Sequence, residues 1–202
     1  MIKIMIILIS LFFLFQVAIS IDIYSCQNIT SSGYYQLAND VSTIGTCFNI
    51  TASNVELDCN WKRIDYAQST SGYGFSIAKV NNITIKNCNL FGGNYDSSHG
   101  FYLFMSNYTQ IMSSNITTSG SDGYGIYLSS SNNNTISSNN ITTSGDYGYG
   151  IHLSSSNNNT ISSNITTSGS DGCGIHLSSS NNNTISSNIT INGVFGCGIH
   201  LS

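Results

Sequence analysis

The 202-residue chain is 40% hydrophobic but only 7% charged, with five Lys and Arg, nine Asp and Glu, no proline and a net charge of −4. Ordinary globular chains carry about 25% charged residues, so solubility here rests on Ser, Thr and Asn, and networks of surface ion pairs are excluded. No Lys or Arg follows Lys86, which leaves most of the chain unable to neutralise phosphate and argues against nucleic acid as a partner. Regularly spaced Ile and Leu at low charge also exclude a disordered chain.

At the N-terminus Lys3 precedes an apolar run from Ile4 to about Leu14, and Ala18-Ile19-Ser20 is a small-x-small cleavage signal. Gln16 interrupts the run, and a spanning helix needs about 20 apolar residues. Residues 1–20 therefore read as a cleaved signal peptide, leaving no membrane span in the mature chain. The expected destination is secreted, periplasmic or cell-surface, where thiols pair. Residues 21–53 form a leading or capping segment and 54–202 the repeats, which the sequence leaves incomplete at the C-terminus. Cys26 and Cys47 both precede the repeats, and a bridge between them would close the first coil. Cys59 and Cys88 are a second candidate pair, while Cys173 and Cys197, one repeat apart, are expected to stack as buried thiols or as a disulfide. Eleven N-x-S/T sequons, from Asn28 to Asn188, make the chain a candidate glycoprotein.

From Gly123 onward the sequence repeats itself: GYGIYLSSSNNNTISSNNITTSGD, GYGIHLSSSNNNTISSNITTSGSD and GCGIHLSSSNNNTISSNITINGV. Leu128, Leu153, Leu177 and Leu201 are 25, 24 and 24 residues apart, and the frame extends backward through Leu103 and Ile77. A second apolar residue follows each anchor at Ile85, Ile111, Ile136, Ile161 and Ile185. Tandem periods of this size signal a solenoid. Too few aliphatics recur for a leucine-rich repeat, and Ser, Asn, Thr and Gly disfavour helical repeats. Alternation predicts an all-β, right-handed parallel β-helix with three short strands per coil: G-I-H-L with Ile151 and Leu153 inward, N-T-I-S with Ile161 inward, and N-I-T-T with Ile165 and Thr167 inward. Equivalent residues then stack about 4.8 Å apart, so Asn115, Asn140, Asn164 and Asn188 form a column able to hydrogen-bond amide to amide. End-to-end stacking of coils is a further expectation.

Residues 33–64, GYYQLANDVSTIGTCFNITASNVELDCNWKRI, followed by NNITIKNCNL at 81–90 and the G-x-I-x-L-x-S-x-N-N-T-I repeats, resemble the right-handed parallel β-helix proteins related to periplasmic NosD. The resemblance spans residues 25–202 and implies the pectin-lyase-like fold shared with carbohydrate-active enzymes. Asn60-Trp61 departs from it, standing where a glycine-containing turn is common, so Trp61 is expected to cap the first coil. The family's copper-binding label implies a copper site, but the sequence offers no convincing ligand set for one.

Three groups of residues are candidates for chemistry. His152, His176 and His200 fall in one outward column that Tyr102 and Tyr127 continue. The column reads as a solvated ladder, as a row offering rings to a linear polysaccharide or cell-surface glycan, or as a weak copper or zinc site, although a straight row lacks convergent geometry. Cys173-x-x-His176 and Cys197-x-x-His200 resemble zinc spacing, yet positions i and i+3 of a strand face opposite ways. Asp96, Asp122, Asp146 and Asp171 are expected to line one turn, where calcium is a conceivable partner. Catalytic residues are not evident: lyases need clustered acids with a base, hydrolases a carboxylate pair, and Glu56 and Asp58, with Lys62 and Arg63 nearby, read as structural. The leading expectation is an exported, non-catalytic surface or recognition module that binds polysaccharide. The alternative is part of a carbohydrate-active lyase or hydrolase whose catalytic coils lie outside this chain.

Overall fold

The computed structural model describes residues 20–202, so the predicted signal peptide falls, but for Ser20, outside the described residues. Every element among the described residues is a β-strand, and every pairing between strands is parallel. Three ladders run along the molecule, as the alternation predicts. The first stacks Gln27–Ile29, Phe48–Ile50, Tyr73–Ala78, His99–Phe104, Ile126–Ser129, Ile151–Ser154, Cys173–Ser178 and Cys197–Leu201. The second begins with Ile21–Ile23, Gly33–Leu37 and Val55–Asp58, and the third with Val41–Ser42, Arg63–Tyr66 and Asn89–Gly92. Near the middle these two ladders merge, because Thr135–Thr143 and Thr160–Thr167 each turn the corner as one continuous strand. Residues 21–53 supply strands to all three ladders, and the pairing crosses residue 54 without a break.

Inward alternation produces the core. Ile126, Leu128, Ile136, Ile151, Leu153, Ile161, Ile165, Ile175 and Leu177 are buried, whereas Ile185, in the last complete coil, is only partly so. Each fully buried aliphatic contributes about 1.5–3 kcal/mol. In the N-terminal coils Phe48, Phe75 and Phe101 replace the aliphatics and stack at 4.8–5.0 Å between centroids. The change of period from 25 to 24 has a local cause: Ser138 takes a left-handed backbone (φ 57°) at the corner, and the register shifts between Ser137 and Asn140. The two coils that turn at Ser113 and Ser138 carry one more residue at this corner than those that follow, and the mismatch is a bulge accommodated where the strand already bends.

Polar ladders line the corners. The exposed Asn column hydrogen-bonds amide to amide and extends one coil further than expected, Asn115 donating to Asn89 at 2.8 Å and Asn140, Asn164 and Asn188 each to its predecessor at 3.1 Å. A second, buried series was not expected. Asn134, Asn159 and Asn183 each accept the backbone N–H one coil earlier and donate to a carbonyl beyond it. Trp61 does not cap a coil. It is half-exposed, and its backbone, with that of Asn60, is left-handed (φ 58° and 50°), so the pair makes the turn that glycine was expected to make.

Candidate functional site

The first ladder's outer face carries the candidate residues. Pairing aligns Asn28, Asn49, Ser76, Tyr102, Tyr127, His152, His176 and His200 in one column across eight strands. Three residues earlier runs a second column that the sequence reading missed: Tyr73, His99, Tyr124, Tyr149, Cys173 and Cys197, aligned by strand pairing and by the backbone bonds Gly100 to Tyr124, Gly125 to Tyr149 and Gly150 to Cys173. Positions i and i+3 therefore share a face, contrary to the expectation from a regular strand. The reason lies between them. In G-I, as at Gly150-Ile151, both residues point inward, because the strand starts at a corner and the alternation slips by one. Glycine is required there, since a Cβ on Gly150 would meet the Gly174 carbonyl oxygen at 2.6 Å and overlap Ile165.

The two columns form a herringbone. Within the first, Tyr127–His152 and His152–His176 stack at 4.8 and 4.7 Å with planes 9° and 6° apart. Within the second, His99–Tyr124 and Tyr124–Tyr149 stack at 4.7 and 5.0 Å. Between columns the rings cross nearly at right angles, 86° for Tyr124–Tyr127 and 85° for Tyr149–His152. The repeat of about 4.8 Å exceeds the contact distance of about 3.5 Å between carbon atoms, so each stacked ring must tilt by roughly 40°, and opposite tilts in adjacent columns give the crossing angle.

Mutual packing means that the histidine column is not the solvated row of the first expectation. His152 and His176 are half-buried and only His200 is exposed, while Nδ1 and Nε2 of His152 and Nδ1 of His176 are shielded without hydrogen-bond partners. Burial, reinforced by the neighbouring His176, pushes His152 down to about 4; burial, with His152 adding to it, pushes His99 to about 4 as well. Burial is also the main cause that raises Tyr124 to about 12. Both imidazoles are therefore neutral at physiological pH.

At the N-terminal end the rings stop. Ser76, Asn49 and Asn28 continue the first column with small polar groups, and Thr46 follows Tyr73 in the second, its hydroxyl accepting the Tyr73 N–H. The step leaves a concave pocket of about 470 Å³ bounded by Tyr73, Ser76, Asn49, Asn28, Gln27 and Thr46.

Residues 18–199 match the family described as periplasmic copper-binding protein (NosD). The chain belongs to the NosD family. No curated protein and no solved structure matches it. For a NosD-family chain the fit of copper to these residues is the natural test. Among the described residues the one grouping of His, Cys, Asp and Glu close enough to share an ion is Cys173, Cys197 and His200, with ligand atoms within 4.8 Å of one another. Cys173 and Cys197 are joined as a disulfide, as are Cys26–Cys47 and Cys59–Cys88. A disulfide offers no thiolate, and stacked imidazoles in a line do not encircle an ion. Among the described residues, the bridged cysteines and the stacked imidazoles therefore do not fit a copper ion.

The remaining candidates resolve into structure. Asp96, Asp122, Asp146 and Asp171 line one row of turns, as expected, but Asp96 and Asp146 occupy the first position and Asp122 and Asp171 the second, so the carboxylates alternate along it. Glu56 and Asp58 share a face, but their partner is Lys86 of the next coil, at 2.6 and 3.8 Å, rather than Lys62 or Arg63. Arg63 pairs with Asp65 at 2.8 Å.

Proposed function

We propose that the protein is an exported, non-catalytic recognition module whose herringbone ribbon binds linear polysaccharide. The observation that carries this reading is the ribbon itself: a rigid row of tyrosine and histidine rings at strand spacing, ending in a polar pocket walled by Tyr73. Ring faces are occupied by neighbouring rings, so the ligand meets ring edges and phenolic hydroxyls instead of the open platforms suggested by the sequence. A polyhydroxylated chain suits such a surface, exchanging hydrogen bonds with a phenolic hydroxyl on each coil from Tyr73 to Tyr149 while losing little entropy to a preformed site. Tyr73 has His99 stacked on one side at 5.6 Å and no ring on the other, where a sugar residue fits against it. Membership of a periplasmic family and three disulfides fit an exported protein.

The test removes hydroxyls and keeps rings. A Tyr102→Phe/Tyr124→Phe/Tyr127→Phe/Tyr149→Phe variant retains the stack, and at about 0.5–1.5 kcal/mol per lost hydrogen bond it should bind immobilised polysaccharide about tenfold more weakly or worse. Affinity electrophoresis across neutral and acidic polysaccharides provides the measurement. Equal retention of the variant and the parent, or no retention of the parent on any polymer, overturns the reading. Calorimetry of the oxidised protein with Cu(II) should show no stoichiometric tight site.

A further inference from the structure

The two borders of the ribbon carry different chemistry. Along one, the turns that lead into the second column place Asp96, Asp122 and Asp146 three, two and three residues ahead of His99, Tyr124 and Tyr149, so each aspartate Cα lies within roughly 11 Å of the Cα that bears the ring. Burial, and after it the Asp122 carboxylate, raise the Tyr149 phenol; at Tyr124 the same carboxylate adds to burial and to Tyr149. One aspartate thus acts on phenols of two consecutive coils. Among the described residues the ion pairs join Arg63 to Asp65 and Lys86 to Glu56 and Asp58, which leaves this row of carboxylates without counterions. Along the other border Ser129, Ser154 and Ser178 align two residues beyond Tyr127, His152 and His176. Lys79, exposed at the corner after the Tyr73–Ala78 strand, is the one cation on that side among the described residues.

Spacing adds a second constraint. Ring centroids within the columns advance by 4.7–5.0 Å from coil to coil, and phenolic hydroxyls recur on four consecutive coils, at Tyr73, at Tyr102, at Tyr124 with Tyr127, and at Tyr149. A pyranose chain joined through equatorial β-1,4 bonds is flat and extended, and it advances by roughly 5 Å per sugar, close to the strand spacing of about 4.8 Å. An α-1,4-glucan coils instead, so its successive sugars turn away from a straight row.

Resting on the polysaccharide reading of the ribbon, we propose that its ligand is an uncharged, extended β-1,4-linked glycan laid along the solenoid axis with one sugar per coil, and that the aspartate border turns polyuronates away. A uronate on each sugar faces the negative row at a separation comparable to the Debye length of about 8 Å at physiological salt, with Lys79 at one end as its sole counterion. A neutral sugar meets no such repulsion, and its hydroxyls find phenols between the two borders, serine hydroxyls on one side and carboxylate oxygens on the other.

Affinity electrophoresis of the mature protein, in buffer free of divalent cations, compares β-1,4-linked glucan, mannan and xylan, each beside its carboxymethylated form, with an α-1,4-glucan. At least one neutral β-linked polymer should be bound about tenfold more tightly than its carboxymethylated form at low salt, and the gap should narrow as salt rises. Asp96→Asn/Asp122→Asn/Asp146→Asn should close most of that gap and leave neutral binding little changed, because asparagine keeps an acceptor oxygen for the Ser121 N–H and the Ser170 hydroxyl. Circular dichroism checks the fold of the variant, and the comparison of polymers on the parent protein stands without it. Calorimetry with oligosaccharides of the retained polymer should show affinity rising with each sugar up to about four, one for every phenol-bearing coil. Equal or tighter binding of the carboxymethylated form or of the α-glucan, an unaltered gap in the folded variant, or affinity that stops rising at the disaccharide overturns the proposal and leaves the polysaccharide reading standing. No retention on any polymer removes both.

Discussion

Asn159 and Asn164 lie five residues apart in one coil, both hydrogen-bond to adjacent coils, and replacement of each by alanine should have very different consequences. Asn159 is 1% exposed; its Oδ1 accepts the Asn134 N–H at 2.8 Å, and its Nδ2 donates to the Ser131 carbonyl at 3.2 Å. Asn134 and Ser131 are themselves buried, so Asn159→Ala strands one donor and one acceptor away from water. At about 1–3 kcal/mol for each orphaned group, the loss should be about 2–6 kcal/mol. Asn164 is exposed, donates to Asn140 at 3.1 Å and accepts from Asn188 at 3.1 Å, and after Asn164→Ala water replaces it on both partners. That loss should stay below about 1 kcal/mol. Urea unfolding monitored by circular dichroism gives the comparison through the shift in midpoint at unchanged slope. Amide exchange at Asn134 supplies a local readout, because its N–H loses its acceptor only in Asn159→Ala. Destabilisation of both variants to within about 0.5 kcal/mol would refute the assignment of stability to the buried polar ladder.

Gly150→Ala places a methyl group against the Gly174 carbonyl and Ile165, and overpacking of this kind should lower stability by about 1–3 kcal/mol, measurable by thermal unfolding. Acid should destabilise the fold through the neutral imidazoles: His99, 6% exposed, is held near 4 in the folded chain against about 6.5 when unfolded. The unfolded chain thus gains a proton as pH falls through 6.5 while the folded chain does not, so this contribution is intact above pH 6.5, erodes as pH drops and is lost by about pH 4. The difference corresponds to about 3 kcal/mol, and His99→Gln should flatten the stability profile between those limits, whereas an unaltered profile would place the acid sensitivity elsewhere. Non-reducing peptide mapping should recover the linked pairs Cys26–Cys47, Cys59–Cys88 and Cys173–Cys197, and any other connectivity would contradict the coil register.

The architecture was legible in the sequence because a solenoid converts sequence period directly into spatial stacking. Leu128, Leu153 and Leu177 recur at the coil length, so their burial, the register of His152 over Tyr127 and the amide column from Asn115 to Asn188 all follow from counting residues. Alternation of side chains also separated inward Thr167 from outward Thr166 without reference to any distant contact. What counting could not supply was the behaviour at corners, where the period of two fails. Gly150 and Ile151 both face inward there, and only that slip puts Tyr149 beside His152 and Cys197 beside His200. Burial of Asn159, the pairing of Lys86 with Glu56 and the exposure of Trp61 were likewise set by which coil lies above which corner. Sequence determined the repeat and its inward face because strand pairing is local and periodic; the tertiary structure decided the ribbon and the cysteine–histidine cluster because the path of the backbone through a turn depends on packing against the coils on either side.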